Sequence, residues 1–238
     1  MYGSYEIGEL QLENEFFRIE LKRRGDFFLY SRELRNGEEP QEKVIAADRG
    51  KLILTPVEPV NLPENVTNYM QIEFSKPVFI PPNESRVCYL KFPVEIGVFL
   101  AWRRSSEPID VFSIERPKYT LYGEPRNGVV CRYWRSEVYG SFPNSDKFRE
   151  GVLRLRIRNS ANEWCSISSA VFDVYGMKIF YDDFIVFSDA EMRVISKKVA
   201  ETQFYETQLR KGMKRALELY VARRVVMPRG KFTMEWGL

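Results

Sequence analysis

Alternation of apolar and polar residues with a period of two is the feature that most constrains the fold of this chain. Residues 17–22 read Phe-Arg-Ile-Glu-Leu-Lys, and residues 153–158 read Leu-Arg-Leu-Arg-Ile-Arg. Successive side chains of a β-strand point to opposite faces, so such stretches predict half-buried strands. Between Tyr119–Tyr122 and Val129–Trp134, the pair Asn127-Gly128 is typical of a type I′ hairpin turn.

The pattern predicts an all-β, mainly antiparallel protein with two β-sandwich-like layers or domains and few short helices. We expect an N-terminal β-rich domain over residues 1–115, with a proline-rich connector at 56–63. A second β-rich domain, with a basic C-terminal segment, is expected over 116–238. Between Leu209 and Trp236, some apolar residues have helical spacing and others alternate as in a strand. The sequence is therefore compatible with a final hairpin and with a short helix in this stretch.

The 238 residues include no histidine, which removes a large part of enzyme chemistry. Histidine is the usual general base, nucleophile activator and neutral metal ligand. The chain also lacks the glycine-rich loops that bind phosphates. Asp182 and Asp183 are adjacent, so in a strand they point to opposite faces and do not predict a metal site. We therefore expect no catalytic residue, metal or cofactor, and carboxylate-based hydrolysis is the activity left open.

Cysteine usage favours a reducing, cytoplasmic location. Cys88, Cys131 and Cys165 are far apart, odd in number and form no C-x-x-C pair.

The uncharged stretch 164–172 is too short to span a bilayer as a helix. Charged residues make up 29% of the chain and glutamine is rare, a composition that leans toward thermophilic proteins.

Basic residues form two candidate anion-binding groups. Residues 151–238 carry a net charge of +5, whereas residues 1–150 carry −2. Alternation places Arg154, Arg156 and Arg158 on one strand face, and guanidinium groups bind phosphates and carboxylates bidentately. The second group is Arg210, Lys211, Lys214 and Arg215. The same patterns are typical of solvated strand faces and charged edges, so both interpretations stay open.

Aromatic and cationic residues are interleaved between residues 102 and 135. Single-stranded nucleic-acid binders use stacking platforms beside cations. Ordinary strands are also rich in aromatic residues, so core packing is the competing interpretation. The candidate surface residues are Tyr119, Tyr122, Arg126, Arg132 and Trp134.

Four stretches resemble a family of archaeal proteins of unknown function: Lys91–Phe99, Thr120–Gly128, Tyr175–Ile179 and Met234–Leu238. The resemblance extends over nearly the whole chain and implies an archaeal, intracellular setting. It implies no activity, cofactor or catalytic residue.

Two functional hypotheses from different classes follow from the sequence. The first is a non-enzymatic intracellular β-sandwich binding or scaffold protein that recognises a protein partner or associates with itself. The second is a nucleic-acid or polyanion binder that uses the basic C-terminal segment and the arginine face.

Overall fold

The computed structural model describes residues 1–47, 49–103, 105–219 and 231–238. It confirms the all-β, mainly antiparallel fold, and a 3-10 turn lies at Val174–Gly176. The strands before residue 115 are β1 (Gly3–Glu6), β2 (Leu10–Glu13), β3 (Phe17–Arg24), β4 (Phe27–Leu34), β5 (Gln41–Ile45), β6 (Lys51–Val57), β7 (Tyr69–Ile80), β8 (Ser85–Pro93), β9 (Glu95–Trp102) and β10 (Ser105–Phe112).

The strands after residue 115 are β11 (Tyr119–Tyr122), β12 (Val129–Ser136), β13 (Glu150–Asn159), β14 (Cys165–Asp173), β15 (Phe180–Tyr181), β16 (Val186–Val194), β17 (Ala200–Tyr205), β18 (Lys214–Arg215) and β19 (Lys231–Met234). Part of the ambiguous stretch between Leu209 and Trp236 is therefore strand. Residues 220–230, and with them the choice between helix and hairpin there, lie outside the described residues.

The strands form four sheets. Two are built entirely from the first half of the chain, with the orders β1-β6-β9-β10 and β2-β3-β4-β5. The third has the order β11-β12-β7-β14 and the fourth β18-β15-β16-β13-β8, in which β17 also pairs with β16 and with β19. Among the described pairings, β7 with β12 and β13 with β16 are parallel.

Ladders cross the predicted domain boundary at residue 115. Strand β7 pairs with both β12 and β14, and β8 pairs with β13 over its whole length. One hydrophobic core cluster includes buried residues from Tyr2 to Met234. The sheets consequently do not divide at residue 115, and residues on either side of it lie close together in space.

The hairpin between β11 and β12 forms, but its turn differs from the predicted one. Tyr122 pairs with Val129, so the connection consists of residues 123–128 rather than of Asn127-Gly128 alone. The Glu124 carbonyl group accepts the backbone N–H groups of Asn127 and Gly128, at 3.2 and 2.6 Å. The prediction of a type I′ turn was wrong because this carbonyl group closes a longer loop, in which Gly123 has a φ of +100°.

Candidate anion-binding pocket

The arginine face of β13 is present but is partly neutralised. Leu153, Leu155 and Ile157 are fully buried, whereas Arg156 and Arg158 are exposed, as the alternation predicts. Arg154 donates two hydrogen bonds to the Asp189 carboxylate, at 2.9 and 2.7 Å, and this pairing raises the pKa of Arg154. The adjacent strand β16 also places Glu191 opposite Arg156.

Two residues of the basic C-terminal group, Arg210 and Arg215, are paired with acidic side chains. Arg210 donates to Asp182, with the Nε–Oδ2 distance at 2.8 Å. Arg215 bonds Glu206 and Glu218, at 2.5 and 2.6 Å. Lys211 and Lys214 are exposed. The other basic residues of this segment, Arg223, Arg224 and Arg229, lie outside the described part of the chain.

The candidate aromatic and cationic residues do not form one surface. Arg126 is exposed in the loop after β11, and Tyr119 and Trp134 are partly buried. Tyr122 is buried, and its hydroxyl group donates to the Gly237 carbonyl oxygen at 2.8 Å. Arg132 is fully buried, with its guanidinium carbon 6.0 Å from the centre of the Tyr119 ring. The expectation that Tyr122 and Arg132 lie on the surface was wrong, because both side chains pack inward against other strands and the C-terminus.

A pocket of about 420 Å³ lies beside Tyr119. Its walls come from Arg32 of β4, Glu38 in the loop that follows β4, the Leu62-Pro63 dipeptide, and the stretch from Val111 in β10 to Tyr119. The Tyr119 hydroxyl group donates to the Leu62 carbonyl oxygen and joins two of these walls. The volume falls in the ~300–1,000 Å³ range of small-molecule sites.

Arg32 lines the pocket from β4. The inward row of this strand is Phe28, Tyr30, Arg32 and Leu34, so a guanidinium group occupies a position in the core-facing row. Arg32 is 6% exposed. Its Nε donates to Asp110 Oδ2 at 2.7 Å, and its guanidinium carbon lies 5.0 Å from the centre of the Phe112 ring.

The orientation of Arg32 is fixed by its neighbours. The Tyr30 hydroxyl group donates to the same Asp110 oxygen at 2.8 Å, and burial beside this carboxylate raises the pKa of Tyr30. A shift in the register of β10 between Pro108 and Asp110 accompanies the inward position of Asp110. Despite this support, the buried Nη1 atom of Arg32 has no hydrogen-bond partner.

One buried polar atom without a partner, Arg32 Nη1, belongs to a residue of this pocket wall, and others belong to residues elsewhere in the fold. Six of the ten such side-chain atoms in the described ranges are Arg32 Nη1, Glu95 Oε1, the three guanidinium nitrogens of Arg132, and Trp134 Nε1. Most buried polar groups in proteins are hydrogen-bonded, so each exception requires an explanation, such as strain, a bound ion or an ordered water. Arg132 is paired across β11 and β12 with Tyr119, and Tyr119 lines the pocket.

Two buried glutamates, Glu58 and Glu95, are hydrogen-bonded to Asn61, the residue before the Leu62-Pro63 dipeptide. Glu95 accepts the backbone N–H of Asn61 at 2.9 Å, and burial raises its pKa to about 7 against the opposing influence of Arg132. Glu58 accepts the backbone N–H of Leu219 at 3.0 Å from each carboxyl oxygen, and burial likewise raises its pKa to about 7.

A second, smaller pocket of about 240 Å³ shares Arg116 with the first. It is lined by Tyr133, Trp134 and Arg135 of β12 and by residues 115, 116 and 118 of the preceding segment. Its one acidic group, Glu115, already accepts a hydrogen bond from Arg149 Nε at 2.7 Å. The arginine that lines both pockets is exposed.

Sequence reasoning identified Tyr119 and Trp134 but missed Arg32 and Arg116. A signal for Arg32 was available, because an arginine interrupts the apolar row at 28, 30, 32 and 34. For Arg116 no local signal exists.

In the part of the chain that the structure describes, no group of three or more cysteine or carboxylate side chains could hold a metal ion. Across the same ranges, no helix has the length and apolar character needed to cross a bilayer.

The fold defines an all-β protein of several packed sheets, with a pocket whose lining includes two arginines and one glutamate. Residues 1–235 match the family model described as "Protein of unknown function (DUF432)", and the chain belongs to this family. No curated protein matches the chain. No solved structure matches it either.

Proposed function

We propose that this protein acts by binding rather than by catalysis, and that its pocket holds a small ligand with a phosphate or carboxylate group. The observation that carries the proposal is the buried, unpartnered Nη1 atom of Arg32 at the pocket wall. A buried donor without an acceptor is unfavourable by roughly 1–3 kcal/mol, and an oxyanion supplies the missing acceptor. The exposed Arg116 adds a second cation to the pocket lining.

The arrangement suits an oxyanion better than a neutral ligand. The Arg32 guanidinium group is held by Asp110 and Phe112, so its remaining donors are oriented before the ligand arrives. Asp110 neutralises the single positive charge of Arg32, and the ligand therefore depends on Arg116 for net attraction. Glu38 also lines the pocket and is exposed, so it opposes an anion.

Isothermal titration calorimetry with inorganic phosphate and pyrophosphate tests this proposal. Arg116→Gln should weaken binding about 10-fold, the effect of one charged hydrogen bond. Glu38→Gln should strengthen binding, because it removes a like charge from the pocket. Arg126→Gln changes an exposed arginine outside the pocket and is the matched control. Equal affinity in all four proteins, or no binding at low ionic strength, would reject the proposal.

Polyanion binding is a second proposal with less support. The exposed cations Arg156, Arg158, Lys211 and Lys214 favour it, whereas the pairing of Arg154, Arg210 and Arg215 with carboxylates opposes it. Affinity for single-stranded RNA should fall steeply with salt if it holds. The charge reversals Lys211→Glu and Lys214→Glu should then weaken RNA binding more than the reversals at Lys22, Arg23 and Arg24, where the surrounding sequence is acidic.

Recognition of a protein partner, or self-association, also stays a prediction from the sequence. Analytical ultracentrifugation over a wide concentration range tests self-association directly. A cytoplasmic location and a thermophilic archaeal source belong to the same set of proposals, and the three buried, unpaired cysteines favour the reducing compartment.

A further inference from the structure

Apolar and aromatic residues form most of the lining of the larger pocket, the one that contains Arg32. They are Leu62, Pro63, Val111, Phe112, Pro117 and Tyr119. Among them, Leu62, Pro117 and Tyr119 are partly buried, and we call these three residues the apolar wall. A ligand with a hydrocarbon body would remove this wall from water, whereas a free phosphate ion would not.

The apolar wall is held together before any ligand arrives. The Tyr119 hydroxyl group donates to the Leu62 carbonyl oxygen. Tyr119 also belongs to β11, which is paired with β12 over four residues. A wall fixed in this way loses little conformational freedom when a ligand binds against it.

The charged groups of the pocket suit a singly charged anion. Arg32 and Arg116 line the pocket, but so does Glu38, and Asp110 is paired with Arg32. Two cations are therefore balanced by two carboxylates. Each further negative charge on the ligand adds repulsion from Glu38, so a monoanion is favoured over phosphate, which carries more than one charge at neutral pH.

The hydrogen-bond donors of the pocket also suit a carboxylate. Arg32 Nε is occupied by Asp110 at 2.7 Å, and Arg32 Nη1 is the buried donor left without a partner. Arg116 supplies the other charged donors of the lining. A carboxylate has two oxygens to satisfy, whereas a phosphate would bring additional acceptors against apolar surface.

We propose that the ligand is an apolar monocarboxylic acid, bound as its carboxylate at Arg32 and Arg116, with its hydrocarbon body against the apolar wall. This inference rests on the proposed anion-binding function and adds the chemical class of the ligand. Phosphate then binds the same pocket as a weaker ligand.

Calorimetric titrations with butyrate, hexanoate, hexanamide and inorganic phosphate test the inference. Hexanoate should bind about 10-fold more tightly than butyrate, because each methylene removed from water tightens binding about 3-fold. Hexanamide has the same body without the charge and should bind at least about 10-fold more weakly than hexanoate. Phosphate should also bind more weakly than hexanoate.

Three variants separate the apolar wall from the charges. Leu62→Ala shortens the wall but keeps the carbonyl group that Tyr119 bonds, so it should reduce the difference between hexanoate and butyrate and leave phosphate unchanged. Leu121→Ala changes an exposed leucine of β11 outside the pocket and should alter no affinity. Glu38→Gln should strengthen phosphate more than hexanoate. The titrations of the wild type decide the question even if Leu62→Ala lowers the unfolding temperature.

The outcomes distinguish the inference from the proposed function. If butyrate and hexanoate bind equally, or if phosphate binds more tightly than hexanoate, the monocarboxylate assignment is overturned and the anion pocket stands. If hexanamide binds as tightly as hexanoate, the pocket does not recognise charge and both fail. If none of the four ligands binds, both fail as well.

Discussion

Replacement of Glu58 by glutamine should make the protein less sensitive to alkaline pH. Glu58 is 2% exposed, and both of its carboxyl oxygens face the Leu219 N–H. Burial raises its pKa from 4.5 to about 7, so the folded protein retains a proton between these values that the unfolded chain releases. The stabilising contribution of this proton is complete below about pH 4.5 and is lost as pH rises through 7.

The size of the effect follows from the two pKa values. A shift from 4.5 to about 7 corresponds to about 3 kcal/mol, at roughly 1.36 kcal/mol per pKa unit. Part of this stabilisation is already lost at pH 5, so the contribution of Glu58 to the free energy of unfolding falls by about 2–3 kcal/mol between pH 5 and 8.5. Glutamine keeps an oxygen acceptor for the Leu219 N–H but does not ionise.

Urea unfolding at pH 5 and pH 8.5 measures this contribution. The free energy of unfolding of the wild type should fall by about 2–3 kcal/mol more than that of Glu58→Gln over this interval. Glu39→Gln changes an exposed acid and should behave like the wild type. If Glu58→Gln and the wild type lose the same stability, Glu58 does not hold a proton at neutral pH and the reasoning is refuted.

Two further substitutions test the packing and the hydrogen bonding of buried residues. Gly151→Ala would place a Cβ 2.2 Å from the Phe92 ring and should destabilise the fold by about 1–3 kcal/mol, whereas Gly8→Ala, with nothing within 4 Å, should be nearly neutral in the same urea titration. The buried Asn159 side chain donates to three backbone carbonyl groups and accepts one N–H, so Asn159→Ala should lower stability by at least about 2 kcal/mol. Asn144→Ala changes an exposed asparagine and is the control. An equal loss of stability in both variants would contradict the stabilising role of the Asn159 hydrogen bonds.

Local patterns predicted the strands well, because alternation is a property of neighbouring residues. Strand β13 places its leucines and isoleucine inside and Arg156 and Arg158 outside, as the sequence indicates. The chain also belongs to the family that the four quoted stretches resemble. The turn at Asn127-Gly128 was mispredicted, because the Glu124 carbonyl group closes a loop longer than the dipeptide signal implies.

The pocket could not be predicted, because its walls are distant in sequence. Arg32, Leu62, Phe112 and Arg116 belong to segments that meet only when the sheets pack together. Alternation alone does not say which face of β12 is buried, and Arg132 was expected at the surface for that reason. The structure places it beside Tyr119, in a position that period-two reasoning assigns to an apolar residue.

Nitrogen-15 NMR of the arginine side chains during a phosphate titration tests the central claim most directly. The Arg32 guanidinium signal, assigned with Arg32→Lys, should move saturably and with the same dissociation constant as the Arg116 signal. The Arg126 signal should stay in place, because this exposed side chain lies in the loop after β11. A protein that binds phosphate with no change in the Arg32 signal would contradict the assignment of this pocket as the anion site.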